Sequence, residues 1–507
     1  MNVVVIGDIG WQYLYHLGDE AMTEAAIDQL RERGITNITL VAGQPEVAEQ
    51  FYGLPSVARA GFNTKWSRDG NEGHLRVMEE LLESGDFEEG GIHAAIRDCD
   101  AVLIAGGGNL NSTHFHHLYE RLAAKRMAEF FGKRLYVTSQ TVGPVLTPVD
   151  REKVAEIADY AECFGAREES TYKLMTSLAQ RPERVFHTMD DAVMLRSDAK
   201  SVAAVEAMGL PDRYILASFS NGHGTAFKNA HSYYRAMAKL IDQLAVRNDI
   251  DVLLAPHAGS FDPARTTRDQ DSDLAIAGYS TSGRVRNLGL ITAREDVALI
   301  ERAALSLSTR YHAAVFAPAA TTPTAAIAPS YYSSIRMRGA LRNVGAERFV
   351  VPAVSMHLAV DAFSELLEQD EAIRAHLAGT QRVTVGYQST WWDAMTQSML
   401  GGEWRDPGHL PRVETYVPVG EWSAQNEKVI PIFDQFTQEI EALRGDNAAL
   451  RDQLMTEERI NIKSEALLAR AHDNVERYRS RKVVRLANMG SQMGRKLTGA
   501  SRPEPDC

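Results

Sequence analysis

Cysteine is nearly absent from this chain: Cys99, Cys163 and Cys507 stand far apart among 507 residues. That scarcity argues against a disulfide framework or a Cys-based zinc site and for a reducing compartment. No run of about 18 apolar residues occurs, so no membrane-spanning helix is expected. The first residues run straight into Val3-Val4-Val5-Ile6, without the basic start and cleavage site of a secretory signal. A cytoplasmic protein is the expectation. The net charge of −13 argues against a nucleic-acid partner for the body of the protein. Neither a Walker loop nor Gly-x-Gly-x-x-Gly is present, so nucleotide binding by those routes has no support.

What is present is an alternation of strands and helices. Apolar, β-branched runs at Val3–Ile6, Ile38–Val41, Ala101–Ala105, Leu135–Ser139 and Val185–His187 read as strands buried on both faces. Helical patterns lie between them, at Glu20–Arg33, His117–Phe131, Arg151–Tyr160 and Ser170–Leu178. A second alternation follows: Tyr214–Phe219, His231–Val246, Asp251–Ala255, Arg294–Ala304 and the strand Ala303–Leu307. Helical patterns at His357–Leu377 and Gln388–Leu400 close it. The fold class is therefore α/β. We expect a Rossmann-like doubly wound domain at 1–200 and another at 205–400, facing a cleft in a GT-B-like arrangement. Ligands of open α/β sheets sit at the carboxyl ends of strands, and most of the conspicuous residues fall there.

The densest signal is Ser308-Thr309-Arg310-Tyr311-His312, between an apolar strand and a helical pattern. Helix-start N–H groups and an Arg fork can hold an anion, and His312 can exchange a proton near neutral pH. The plainer alternative is a satisfied structural histidine. Gly106-Gly107-Gly108-Asn109 follows the strand Ala101–Ala105; its glycines either let backbone approach a ligand or merely turn the chain. Asp19, in Gly18-Asp19-Glu20, either faces the cleft or caps a helix. Arg167 precedes a helix that Ser170 can cap, and either binds an anion or pairs with an acid. His257, in Pro256-His257-Ala258-Gly259, is a cleft candidate. His114, His116 and His117 lack the Cys or Asp that would complete a metal set, so they read as a solvated or cleft-lining cluster. His187 and Asp190-Asp191 close the first domain; the acids either bind an acceptor hydroxyl or cap the next segment.

Five pieces in order resemble the polysaccharide pyruvyl transferase family. They are Gly7-Asp8-Ile9-Gly10 with Gly18-Asp19-Glu20-Ala21; Gly106–Leu110; Ser139-Gln140-Thr141-Val142-Gly143-Pro144; Ala166-Arg167-Glu168-Glu169-Ser170; and Arg310-Tyr311-His312 before Thr322-Pro323-Thr324-Ala325-Ala326-Ile327. The resemblance ends near residue 350. It implies a donor, phosphoenolpyruvate, whose carboxylate and phosphate suit two arginines. It implies donor binding by Arg310, His312, Arg167, Gly107 and Gly108, with His312 as general acid and Arg310 beside it. Asp19, Asn109, Gln140 and His257 fall to the acceptor, a glycan or lipid-linked saccharide. The chemistry needs no cofactor and no metal. Tyr311 stands where Leu is usual, Pro329-Ser330-Tyr331-Tyr332 replaces a Tyr-Asp-Lys-like stretch, and Trp11-Gln12-Tyr13-Leu14-Tyr15 is an aromatic insert. On the same architecture the alternatives are a nucleotide-sugar-dependent glycosyltransferase and a catalytically degenerate scaffold acting through a coiled coil.

The remainder reads as a Gly/Pro linker at 401–431, a coiled coil at 432–480 and a basic tail at 481–507. Ile440, Asn447, Leu454, Asn461, Leu468 and Val475 take the a positions; Leu443, Leu450, Glu457, Ser464, Ala471 and Tyr478 take d. Asn at a favours a homodimer. From 479 to 499 six basic residues and no acidic ones occur, a composition suited to an anionic membrane surface.

Overall fold

The computed structural model describes residues 1–10, 14–224, 226–262 and 264–498. Residues 11–13 of the aromatic insert Trp11–Tyr15 and the tail end at 499–507 lie outside the described residues. Strands β1 (Asn2–Ile6), β3 (Asn37–Ala42), β4 (Ser56–Ala58), β5 (Ala101–Ile104), β6 (Gly107–Leu110), β7 (Arg134–Val142), β8 (Cys163–Ala166) and β9 (Val185–His187) form an eight-stranded sheet, with β2 (Tyr15–His16) apart from it. Its order is β4-β3-β1-β5-β7-β8-β9, with β6 alongside β7, and every pairing is parallel. Val3, Val4 and Val5 are fully buried, as residues covered on both faces of a parallel sheet must be.

Strands β10 (Tyr214–Ser218), β11 (Asp251–Leu254), β13 (Val285–Asn287), β14 (Leu305–Ser308), β15 (Thr324–Ala328) and β16 (Val350–Pro352) form a second parallel sheet, ordered β13-β11-β10-β14-β15-β16. Among the helices are α1 (Leu17–Glu32), α2 (Glu169–Leu178), α3 (Asp269–Tyr279), α4 (Ala293–Arg302), α5 (Ala313–Ala319), α6 (Tyr331–Arg342), α7 (Asp370–Met399) and α8 (Glu421–Thr498).

The two sheets are joined at several points. β2 pairs antiparallel with β12 (Ala258–Gly259), and Leu17 N donates to His257 O at 2.9 Å. Arg294 of α4 reaches Glu24 and Asp28 of α1, both at 2.8 Å. Helix α7 straddles the pair. Arg374 near its start donates to Ala303 O at 2.8 Å, while Trp391 Nε1 reaches Thr138 Oγ1 at 2.9 Å and Trp392 Nε1 reaches Asp191 Oδ1 at 2.8 Å. Met1–Gly445 thus forms one compact unit, and Asp446–Cys507 another.

Three expectations change. The two helical patterns at 357–377 and 388–400 are instead a helix Ala359–Glu368 and the unbroken 30-residue α7. Gly379 and Gly386 weaken its signal, but each faces open space, and buried Thr384, Gln388 and Trp391 carry the helix through. The segment 401–431 is not a free linker. Leu410 N donates to His187 O at 2.9 Å, Tyr416 N to Gly345 O at 2.7 Å, and Glu365 accepts Val419 N, Gly420 N and Trp422 Nε1. From Glu421 the chain is already helical, Pro431 included. The helix continues to Thr498, and the a or d residues Leu443, Leu450, Leu454, Leu468 and Val475 are exposed along it. The side chains of Asn461 and of residues 478–498, most of the basic stretch, are outside the described residues.

Trp391 is fully buried against Phe186 and Trp404. Trp391→Ala leaves a cavity and removes one hydrogen bond of Thr138, and is expected to cost about 3–5 kcal/mol in chemical denaturation.

Candidate active site

A cleft of about 390 Å³ opens between the carboxyl ends of the two sheets. From the first half come His16, Gly18, Asp19, Gly108 and Asn109; from the second come His257, Thr309, Arg310, Tyr311, His312, Tyr332 and Arg336. Of the residues singled out by sequence, the structure brings Asp19, Gly108, Asn109, His257, Arg310 and His312 to this wall.

Two do not face it. Gln140 is buried, and its amide donates to Ala105 O and Thr138 O, both at 2.8 Å. It does not line the cleft, because β7 runs on to Val142 and holds Gln140 inside the sheet. Gly107 is buried in β6 behind Gly108. Asp19 is not the helix cap: His16 takes that position, and Asp19 sits in the first turn of α1. Ser170 does not cap α2, whose N-cap is Glu168.

The arginines differ in how far they are already paired. Arg310 forks onto Asp269 of α3, Nε to Oδ2 at 2.6 Å and Nη2 to Oδ1, and Asp269 is fully buried. Arg167 lies just behind the wall. Its Nε donates to Thr141 at 2.7 Å and its Nη1 to Asp190 Oδ2 at 2.6 Å, with Glu168 beside it at 3.2 Å. Its Nη2 is buried and has no partner. Arg336 of α6, which the sequence reading missed, has no ion-pair partner among the described residues, and its Nε is unsatisfied. Its guanidinium stacks 4.5 Å from the rings of Tyr311 and Tyr332. Arg167 covers Tyr311 at 4.3 Å. One aromatic ring therefore joins two guanidinium groups by cation–π contact, a task the usual Leu could not perform.

Glycine permits this crowding. A Cβ on Gly108 would stand 3.0 Å from Tyr332 Oη, 3.2 Å from Arg336 Nη2 and 3.3 Å from Arg167 Nη2. A Cβ on Gly18 would stand 1.8 Å from His312 Nδ1. The signal for Arg336 was faint: Ser330 caps α6 by accepting from Ser333 N at 3.2 Å, and buried Met337 and Leu341 follow at helical spacing.

Burial and then the charges of Arg167, Arg336, His257 and Arg310 hold His312 well below the usual imidazole range. The ring is neutral at pH 7, with Nε2 unpartnered and 3.7 Å from Asp190 Oδ2. Burial, then Asp8, pushes Asp19 up to about 6. Asn109 Nδ2 donates to Asp8 Oδ2 at 2.7 Å. His257 Nε2 lies 3.4 Å from the fully buried Asp296. Among the described residues no group of three His, Cys, Asp or Glu side chains could hold a metal ion. No described helix is long and apolar enough to cross a membrane.

The family model for polysaccharide pyruvyl transferases matches residues 16–331. The chain belongs to the polysaccharide pyruvyl transferase family, a family of transferases. No curated protein matches the chain. Among solved structures, the Neisseria meningitidis UDP-GlcNAc 2-epimerase bound to UDP-GlcNAc is similar at 13% identity, covering 79% of this chain and 100% of its own, with a TM-score of 0.51. The S. aureus MnaA–UDP structure is similar at 12% identity, 81% and 100% coverage and a TM-score of 0.51. These likenesses are of fold, a GT-B-like pair of parallel α/β sheets. In this pyruvyl transferase family member the match ends at the first residue of α6, five residues before Arg336.

Two outcomes follow. Gly18→Ala is expected to destabilise the protein by about 1–3 kcal/mol through overpacking, and by much less in a His312→Ala background; a double-mutant cycle in urea reads the difference. Glu20 accepts Gly10 N at 3.1 Å and is pushed up to about 8 by burial. Its folded pKa exceeds its unfolded one, so its stabilising proton is kept below about 4.5 and lost as pH rises through about 8. The melting temperature of Glu20→Gln is expected to fall less between pH 5 and 8 than that of the wild type.

Proposed function

We propose that the cleft binds phosphoenolpyruvate and transfers its pyruvyl group to two hydroxyls of a glycan or lipid-linked saccharide, forming a cyclic ketal. The observation that carries this reading is Arg336, a cation in the cleft wall with no ion-pair partner among the described residues, beside the unsatisfied Nη2 of Arg167. A ligand with two anionic groups satisfies both, with Arg310 held beside them by Asp269.

The chemistry needs a proton at the methylene carbon, C3, which creates oxocarbenium character at C2. The first sugar hydroxyl then attacks C2, inorganic phosphate leaves, and the second hydroxyl closes the ketal. Of the two hydroxyl protons, one balances that added to C3 and the other leaves with phosphate. His312 is neutral in the free site, but the donor's negative charge offsets the arginines that suppress its protonation. With donor bound it becomes the acid. Asp19 and His257 line the acceptor side and accept hydroxyl protons. The exposed heptad stripe of α8 suits pairing with a second copy, and the basic stretch from 479 suits anionic lipid at the inner membrane face.

Thermal unfolding with phosphoenolpyruvate at 100 times its dissociation constant should show about 2.7 kcal/mol of stabilisation, absent in Arg336→Ala. A response to UDP or GDP alone would indicate a glycosyltransferase, and silence to all three a scaffold. Calorimetry in buffers of different ionisation enthalpy should record proton uptake on donor binding at pH 7, lost in His312→Ala.

A further inference from the structure

Helix α6 carries Arg336 into the cleft, and its two faces are held differently. The inner face is a helical stripe: Tyr332, Arg336, Gly339 and Asn343, the last just past its end. Tyr332 Oη donates to Gly108 O at 3.3 Å. Gly339 lies against Glu168, where a Cβ would come within 2.7 Å of the side chain, and Asn343 Nδ2 donates to Arg167 O at 2.9 Å. So α6 crosses from the second sheet onto Gly108 of β6 and the Arg167 junction of the first. The outer face presents Ser334 and Arg338, one turn apart. Both bind one side chain: Ser334 Oγ donates to Asp434 Oδ1 at 2.6 Å, and Arg338 Nη1 to Asp434 Oδ2 at 2.8 Å. Glu441, two turns on, accepts Tyr332 N at 3.2 Å.

We infer that Asp434 of α8 is a positioning residue for the donor site, gripping the outer face of α6 so that Arg336 and Tyr332 stay over Gly108 of β6. The inference rests on the donor reading above. The first turns of α8 are themselves anchored, which makes the grip firm. Phe433 and Ile430 are buried, Asn426 Nδ2 donates to Val350 O at 2.9 Å, and Glu427 pairs with Arg348 at 2.8 Å. Without Asp434, Ser334 and Arg338 lose their partner, and the half-buried Arg338 must turn toward water. Burial already depresses the Arg338 pKa, and Asp434 opposes that shift. Rotation of α6 about its axis would carry Arg336 off the Tyr311 ring. This places part of the donor site's support in a helix beyond the family match, which ends at residue 331.

The test is calorimetric titration of phosphoenolpyruvate into the full chain. Asp434→Ala is expected to raise the dissociation constant roughly ten-fold, the scale of one lost charge-assisted contact, with the binding stoichiometry unchanged. Asp434→Asn, which keeps one carbonyl acceptor, should raise it less. Ser334→Ala, which weakens the same grip from the other side, should raise it slightly. Gln435→Ala, one residue away and exposed, should leave it unaltered. An unchanged dissociation constant in Asp434→Ala, or a loss of stoichiometry alone, would overturn the inference while leaving the donor reading intact. No binding by the wild type would overturn both.

Discussion

Two guanidinium groups sharing one aromatic ring set the terms for the whole site. Arg167 and Arg336 cover Tyr311, in a cleft where further positive charge is costly. The protein compensates unevenly. Asp190 and Glu168 attend Arg167, and Asp269 holds Arg310. No carboxylate among the described residues pairs with Arg336, so one cation is left for a ligand to neutralise. The same crowd of charge, after burial, keeps His312 neutral. Ligand charge and imidazole protonation are thereby coupled through electrostatics alone. Glycines at 18 and 108 are a steric condition of this arrangement, because any side chain there would meet His312 or the arginines.

A cleft between two domains serves catalysis only if its walls hold still. Here the β2–β12 pairing, the Arg294 bridge to α1 and the length of α7 fix one sheet against the other. Site groups from both halves therefore stand in place before a ligand arrives, which reduces the ordering that binding would require. The outer support from α8 extends the same logic to α6, an element between β15 and β16 whose Met337, Ala340 and Leu341 are buried in the core.

The sequence made the frame readable because parallel strands buried on both faces leave continuous apolar runs, and Val3–Ile6 or Ala101–Ile104 show them plainly. It also pointed to Gly108, Asn109, His257, Arg310 and His312, since each lies within a few residues of a strand's carboxyl end, and to Asp19 through its Gly18-Asp19-Glu20 motif. Gln140 was misplaced for a local reason: a nine-residue strand continues past the point where a loop was expected. Arg336 was missed for a global one. It stands beyond the motif run, on a helix that enters the cleft only because Gly339 allows close packing on Glu168. Nor could spacing reveal that Arg310 already has a partner in Asp269, 41 residues earlier. The Gly/Pro composition of 401–431 hid a segment pinned to Gly345 and Glu365 by contacts that no local pattern records.

The most direct test of the central claim is a crystal structure of the full chain with phosphoenolpyruvate. The expected result is an anionic group within hydrogen-bond reach of Arg336 and Arg167 Nη2 over Gly108 of β6, with the Arg310–Asp269 pair intact and His312 beside the methylene carbon. Donor density elsewhere, or Arg336 turned away to solvent with the donor bound, would contradict it.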